Sequence, residues 1–249
     1  MKTIVELLQK YRWYGLGNSL DYEKFNHYGI TLHSTAIEGS TLTFIDTQLL
    51  IEEGITPKGK PLEHSLMVKD HYDALMFVFS LSKEKTPIST KLLQEINAKV
   101  MKSTGGIHNT PLGTIDASKG GFRKMNNFVG SRYFINYAKV PKAVDDLVKA
   151  VNEAMTEFLE DEKALEISWK AHFDIVSIHP FIDGNGRTGR LLEAYVQSSY
   201  GLPVGRVFKE DKALYFQSLE ETREKKAQAF YRIYVMAVQK ALGDRNCQI

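Results

Sequence analysis

Apolar residues recur at spacings of three and four along most of this chain, which is the pattern of amphipathic helices. Ser89 and Pro141 are residue types that commonly open helices, as an N-cap and in the first turn. The pattern predicts helices in the N-terminal segment MKTIVELLQKYRWYG, from Pro61 to Leu81, after Ser89, after Pro141, from Ile167 to Ile178, from Arg187 to Ser198, and from Asp211 to Leu242 with a break around Glu221 to Lys226. We therefore expect an all-α fold.

Glycines interrupt this periodicity between residues 105 and 137. Within that stretch, Phe122 to Ile135 has aromatic and branched residues on both sides of Asn126-Asn127, which favours a small β-hairpin that turns there. No long linker or repeat divides the 249 residues, a length that can bury a core in one domain. We expect a single domain over residues 1–249 with one irregular β insertion.

Charge and cysteine content disfavour several classes of protein. The net charge is +2 and no basic tract of five or more residues appears, so no nucleic-acid partner is expected. No apolar run approaches the roughly 18 residues of a membrane span, so no membrane partner is expected. Cys247 is the only cysteine, which excludes an intrachain disulfide and favours a reducing, cytoplasmic compartment.

Three familiar patterns occur in the chain, but each lacks a residue or a structural context that its function requires. Residues 54–60 begin like a phosphate-binding P-loop, but Pro61 stands where Ser or Thr must bind magnesium. Residues 184–189 spell GxGxxG, yet a helical pattern precedes them where a dinucleotide fold needs a strand. Two pairs of histidines spaced by seven lack acidic or cysteine partners for zinc. We reject all three interpretations.

Chemically useful residues concentrate between positions 179 and 190, which read HPFIDGNGRTGR. Gly184 and Gly186 leave backbone N–H groups uncovered just before a predicted helix, whose N-terminus favours phosphate. Arg187 and Arg190 are three positions apart, so they share a helix face and can both reach a polyphosphate.

The same segment contains a carboxylate and an imidazole. Asp183 is a hard ligand of the kind that binds magnesium together with substrate phosphates. His179 can accept a proton near neutrality. Each feature alone is commonly structural, as a turn, a solvated face or a helix end. Their joint occurrence within twelve positions favours an active site.

This segment resembles the signature of the Fic family, HPFx[DE]GNGRxxR, and matches it at every fixed position. The resemblance implies a Fic-like helical domain that binds ATP with Mg²⁺ and transfers AMP to a Ser, Thr or Tyr hydroxyl of a target protein. By the resemblance, the site residues are His179 as general base, Phe181 as anchor of the loop, Asp183 as magnesium ligand, Gly184, Asn185 and Gly186 around the α- and β-phosphates, and Arg187 and Arg190 at the β/γ end.

Two further segments fit the same family. Residues 121–135 resemble its β-hairpin flap, which holds the target's backbone by strand addition. Residues 211–219 are similar to the helix that places an aromatic near the adenine. This similarity nominates Tyr215, although a plain core aromatic is an equal alternative.

An inhibitory motif is also present, far from the signature. Residues 34–39, STAIEG, fit the pattern [ST]xxxE[GN] of the family's inhibitory helix, with Ser34, Glu38 and Gly39 at the fixed positions. The resemblance implies that Glu38 holds the enzyme back by pairing with Arg190. Without the resemblance, the string would be read as a surface helix end.

Alternatives to AMP transfer stay open at this stage. The same site could remove AMP by hydrolysis, with Glu38 orienting the water, or use another nucleotide donor. A helical binding module without catalysis is a third possibility, although the intact His179 and Asp183 disfavour it. The expected partners are ATP and an unidentified target protein, and a homodimer is left open.

Overall fold

The computed structural model describes residues 4–15, 20–130, 132–156 and 160–223 and the single positions 233, 236 and 240. These residues form nine α-helices and two small antiparallel hairpins, which confirms the predicted all-α fold. The helices are α1 Ile4–Trp13, α2 Leu20–Ile37, α3 Phe44–Glu53, α4 Leu62–Lys83, α5 Thr90–Val100, α6 Val140–Met155, α7 Asp161–Ile178, α8 Asn185–Ser199 and α9 Lys212–Arg223. The strands are β1 Ile107–Thr110, β2 Gly113–Asp116, β3 Phe128–Val129 and β4 Arg132–Tyr133.

Local sequence signals account for most helix starts. The Ser89 side chain accepts a hydrogen bond from the Leu92 N–H (3.0 Å) and so caps α5, while Pro141 lies in the first turn of α6. Helix α7 begins at Asp161, before the expected Ile167, because acidic residues favour its first turn. Helix α9 is described as far as Arg223, and most of the predicted continuation to Leu242 lies outside the described residues.

The predicted turn at Asn126-Asn127 is wrong. Strands β3 and β4 pair Phe128 with Tyr133 and Val129 with Arg132, so the chain reverses after Val129, where Gly130 has a φ of 59°. The two asparagines instead brace the base of the hairpin. Asn126 Oδ1 accepts from the Tyr137 N–H (3.1 Å), and the Asn127 carbonyl accepts from the Phe134 N–H (3.1 Å).

Residues 54–60 connect two helices. Gly54 ends α3 in the left-handed conformation with φ 70°, and Pro61 precedes α4. Because helices lie on both sides, this segment is not a strand-to-helix P-loop. This agrees with the rejection of a P-loop from the sequence.

Helices α7 and α8 pack against each other at the centre of the fold, and their close approach depends on Gly189. A Cβ at this position would lie 2.8 Å from His172 Cδ2 and 2.9 Å from Ile175 Cγ2. Helix α2 packs on α4 and also contacts α8. The fold therefore brings three parts of the chain to one place: the end of α7, the start of α8 and the C-terminal turn of α2.

Candidate active site

His179 ends helix α7 in the left-handed region, with φ 52° and ψ 58°. For a residue with a Cβ this conformation costs on the order of 1–3 kcal/mol, so it persists only where the surroundings hold it. Here the His179 N–H donates to the Ile175 carbonyl (2.9 Å), and the His179 carbonyl accepts from Arg123 Nε (2.8 Å). The imidazole lies beside Asn185, the first residue of α8.

The imidazole of His179 is enclosed by Phe134 and Asn185. The Phe134 ring stacks on it with centroids 4.1 Å apart, and Asn185 Nδ2 lies 3.1 Å from His179 Nδ1. The Asn185 amide is itself fixed, because Oδ1 accepts from the Phe181 N–H (2.9 Å) and Nδ2 donates to the Phe181 carbonyl (3.0 Å). Phe181 is only 1% exposed, as a loop anchor should be.

Burial, followed in importance by the positive charge of Arg123, lowers the pKa of His179 to about 4. At neutral pH the ring is therefore uncharged and able to accept a proton. This is the state that a general base requires.

The loop between α7 and α8 ends at Gly184, the N-cap of α8, which has a φ of 78°. A Cβ here would lie 2.8 Å from Asn97 Nδ2 and 2.9 Å from Met101 Sδ, so only glycine fits. Asn97 Nδ2 donates to the Asp183 carbonyl (3.0 Å) and to Thr188 Oγ1 (3.1 Å) and thereby fixes the loop from α5. No side chain of the described residues caps α8, which leaves its N-terminus available to an anion.

Arg187 lies in the first turn of α8 and is 2% exposed. Its Nη2 contacts Met101 Sδ (3.1 Å) and lies 3.6 Å from Asp183 Oδ1. Its Nε and Nη1 are buried and have no hydrogen-bond partner within the described part of the chain. Burial also lowers the pKa of Arg187. Because unpaired buried donors of a charged group are costly, these atoms mark a position for an anion.

Arg190, one turn later, is bound through its Nε and Nη2 by Ser34 in the last turn of α2 and by Glu38, the residue that follows this helix. Its Nε donates to Ser34 Oγ (2.8 Å), and its Nη2 donates to the Ser34 carbonyl (3.0 Å) and to Glu38 Oε1 (2.6 Å). A Cβ on Gly186 would lie 2.7 Å from Glu38 Oε1, so the carboxylate rests against the first turn of α8. Gly39 follows with a φ of 109° and turns the chain away.

The pKa of Glu38 reflects this contact. Burial would raise it, but the charge of Arg190, the hydrogen bond from Arg190 and the charge of Arg187 together hold it below its usual value. Glu38 is therefore a carboxylate at neutral pH, in the part of the site that is otherwise suited to phosphate.

Asp183 has a side chain that is 62% exposed, and its Oδ1 accepts from the Gly184 N–H (2.5 Å). In the described ranges, no group of three or more His, Cys, Asp or Glu side chains is arranged to hold a metal. A single exposed carboxylate beside an anion site fits magnesium, which takes most of its remaining ligands from phosphates and water.

Tyr215 is buried on α9, and its hydroxyl lies 2.9 Å from His172 Nε2. His172 Nδ1 lies 2.6 Å from Glu193 Oε2, and the guanidinium carbon of Arg190 lies 5.9 Å from the Tyr215 ring centroid. Burial raises the pKa of Tyr215 to about 12. The residue is thus part of the core and also faces Arg190, and its position near the adenine stays a prediction.

A cavity of about 290 Å³ joins these groups. It is bordered by residues of α7, α8 and α9, of the β3–β4 hairpin and of the segment that follows α2, among them Glu38, His179, Asn185, Gly186, Arg190, Tyr215, Val129, Arg132 and Phe134. Phe128, Val129 and Tyr133 of the hairpin are 66%, 61% and 78% exposed. An extended, largely apolar hairpin edge therefore lies beside His179.

Sequence reasoning found the residues of the continuous motif and of the α2 segment, and the structure brings Ser34 and Glu38 onto Arg190. It missed Asn97, Arg123 and His172, which fix the loop, the bend at His179 and Tyr215. These three lie outside any motif. Only their polarity on otherwise buried elements marks them, and that signal is weak without a structure.

Residues 87–196 match the model of the Fic/DOC family. Protein adenylyltransferase Fic of Drosophila grimshawi and that of Drosophila melanogaster are each 27% identical to this chain over 216 residues, or 84% of it. The alignments cover 41% and 40% of those proteins, so the chain spans about two fifths of the curated relatives it matches.

Two solved structures resemble the whole described fold. Fic-1 from C. elegans has a TM-score of 0.72 and 26% identity, with 90% of this chain and 64% of that chain covered. A Fic domain containing signaling protein from Bacteroides thetaiotaomicron has a TM-score of 0.73 and 23% identity, with 93% and 96% covered. Residues 87–196, which contain the motif, are thus similar in sequence to the Fic/DOC family, and the described residues share the fold of these two proteins.

Proposed function

We propose that this chain is a protein adenylyltransferase, which moves AMP from ATP to a hydroxyl group of a target protein. The observation that carries the proposal is the pair of buried, unpartnered Arg187 nitrogens beside the uncapped start of α8. These donors call for an anion, and a neutral histidine borders the cavity at the same helix start. The names of the Drosophila relatives support the same reaction.

The proposed reaction begins at His179. Its neutral imidazole accepts the proton of a Ser, Thr or Tyr hydroxyl, and the hydroxyl oxygen forms a bond to the α-phosphorus of ATP. The bond between that phosphorus and the oxygen bridging to the β-phosphate breaks, and diphosphate leaves. The rigid environment of Phe134 and Asn185 keeps the ring in one orientation, which lowers the entropic part of the barrier.

The phosphates are bound by the first turn of α8. Backbone N–H groups at Gly184, Asn185 and Gly186 offer donors at the positive end of the helix dipole, and Arg187 adds its free N–H groups. Asp183 would hold Mg²⁺, which when bound neutralises negative charge on the phosphates. Arg190 would bind the γ end once Glu38 releases it.

Glu38 is proposed to hold the enzyme in a resting state. Its carboxylate is bound to Arg190 and lies against Gly186. A triphosphate therefore cannot bind Arg190 and the first turn of α8 while Glu38 remains in place. The target is proposed to dock along the exposed edge of the β3–β4 hairpin by strand addition. Tyr215 is proposed to lie near the adenine, since it borders the same cavity.

The experiment uses two labels of one nucleotide. The Glu38→Gly protein is incubated with Mg²⁺ and either α-labelled or γ-labelled ATP, and protein-bound label is counted. AMP transfer puts the α label into protein and leaves the γ label in diphosphate. Entry of the γ label, or of neither label, would contradict the proposal. Glu38→Gly combined with His179→Ala is the matched control and should stay unlabelled.

A further inference from the structure

We infer that Arg123 is a positioning residue that couples the β3–β4 hairpin to the backbone of His179. The inference rests on the proposed function, because it assigns Arg123 a part in transfer. Arg123 precedes the hairpin in sequence and lies 56 positions before the histidine. Its side chain is 2% exposed although it carries a full charge. Such burial requires a reason, since a charge without compensating partners is costly.

The guanidinium of Arg123 donates to three backbone carbonyls. Nε donates to the His179 carbonyl (2.8 Å), Nη1 to the Met125 carbonyl (2.8 Å) and Nη2 to the Ile135 carbonyl (2.5 Å). The Arg123 backbone N–H donates to the Pro180 carbonyl (2.9 Å). One planar group therefore joins the α7–α8 loop to both ends of the hairpin.

Each of these contacts constrains the proposed base. The bond to the His179 carbonyl helps to hold the left-handed bend, which has an unfavourable backbone conformation. The bonds to Met125 and Ile135 close the base of the hairpin. Phe134, which stacks on the imidazole, directly precedes Ile135. Arg123 thus fixes the histidine through its backbone and through the ring that covers it.

Arg123 does not act as an ion-pair partner. Among the described residues no carboxylate forms a salt bridge with it, and burial lowers its pKa. What the site uses is the forked shape of five donors in one plane. A lysine keeps the charge but has one nitrogen on a flexible stem, so it cannot satisfy three carbonyls in this geometry. Arg123→Lys therefore separates the geometry from the charge.

The expected consequence is a loss of turnover without a loss of ATP affinity. A misplacement of about 1 Å can cost roughly 100-fold in rate, so Arg123→Lys should lower labelling at saturating ATP by about 10- to 100-fold. The hydrogen bonds of Arg123 among the described residues do not include the phosphate-binding turn of α8, so ATP affinity should change by less than about twofold, which corresponds to about 0.4 kcal/mol.

We propose to test this in the Glu38→Gly background with α-labelled ATP, calorimetric ATP binding and hydrogen exchange of peptides covering residues 125–135. The coupled arrangement predicts slower labelling, unchanged ATP binding and faster exchange of the hairpin. Arg12→Lys is the matched control, because it alters an exposed arginine that pairs with Asp161, and it should change none of the three. Labelling and exchange as in the parent protein would overturn the inference.

Two other outcomes are informative. If the parent protein transfers nothing, the proposed function fails, and hairpin exchange in Arg123→Lys alone decides the inference. If Arg123→Lys does not fold, Phe134→Leu removes the hairpin's stacking contact with His179 instead. Slower labelling with unchanged ATP binding in that variant supports the coupling, and parental turnover overturns it.

Discussion

The two ends of the cavity differ in whether their polar groups are already arranged for the proposed reaction. At the histidine end, the proposed base His179 is neutral, stacked on Phe134 and held by Arg123. At the phosphate end, Arg187 has free donors while Arg190 is bound to Ser34 and Glu38. The difference indicates that the proposed control acts on the pose of the nucleotide and leaves the base unchanged.

The contrast between Arg187 and Arg190 has an electrostatic basis. Both are buried and lie one turn apart on α8, yet only Arg190 is within reach of a carboxylate from α2. The Glu38–Arg190 pair is partly sheltered from solvent, with side-chain exposures of 31% and 8%, and is therefore screened less than a fully exposed pair. A phosphate must therefore displace Glu38 to bind Nη2 of Arg190, whereas Nε and Nη1 of Arg187 have no partner among the described residues to displace.

The largest effect is expected when the proposed base at the histidine end is removed. In the Glu38→Gly background, His179→Ala should fold normally and lose transfer by roughly 100- to 10,000-fold, the usual contribution of a general base. The check is the initial rate of labelling from α-labelled ATP, with circular dichroism as the folding control. Labelling at the parent rate would remove His179 from the mechanism.

Freeing the occupied end should have the next largest effect, in the opposite direction. If Glu38 confines productive binding to a minor state with a bias of about 1.4 to 2.8 kcal/mol, Glu38→Gly raises transfer roughly tenfold to hundredfold. The rate is measured over a range of ATP concentrations. Glu38→Asp is a suitable control, since it keeps the charge and should give a smaller gain. No gain in either variant would leave the α2 segment as a structural helix end.

Asp183→Asn tests the metal at the phosphate end. The substitution keeps the shape but removes a charge that contributes on the order of 1 kcal/mol at contact distance in water. The Mg²⁺ concentration that gives half-maximal transfer should therefore rise roughly tenfold. Titration of Mg²⁺ in the Glu38→Gly background measures this shift. Superimposable titrations of the parent and the variant would exclude Asp183 as a metal ligand.

The smallest effect is expected from pH. A base must be unprotonated, and burial lowers the pKa of His179 to about 4, so the ring stays neutral as the pH falls from 8 to 5.5. Transfer by Glu38→Gly should vary by less than about twofold over this range and decline only as the pH approaches 4. A histidine with an ordinary pKa of about 6.5 would instead lose about tenfold by pH 5.5, and that profile would contradict the enclosed base.

The sequence predicted elements and motif residues better than the contacts that position them. Helix α4 and the caps of α5 and α6 follow from local patterns, and the motif is contiguous, so its residues could be named directly. Asn97 and Arg123 act across 86 and 56 positions of chain on the motif loop, and no local pattern encodes such pairs. The turn at Asn126-Asn127 was mispredicted because its chemistry suits either a turn or a brace.

The start of α3 carries a local sequence signal. Thr43 and Asp46 form a capping box at the start of α3, with Thr43 Oγ1 accepting from the Asp46 N–H (3.2 Å) and Asp46 Oδ2 accepting from the Thr43 N–H (2.8 Å). A polar residue followed three positions later by an acid is a known start of a helix. This pattern indicates that α3 begins shortly after residues 34–39.

The most direct test of the contrast between the two ends is a double-mutant cycle on Glu38 and Arg190. Transfer from α-labelled ATP is measured in the parent, Glu38→Gly, Arg190→Ala and the double variant, and the coupling is taken from the four rates. If Glu38 acts by occupying Arg190, the gain from Glu38→Gly disappears when Arg190 is alanine. A gain of the same size in both backgrounds would contradict the account, because Glu38 would then restrain transfer without using Arg190.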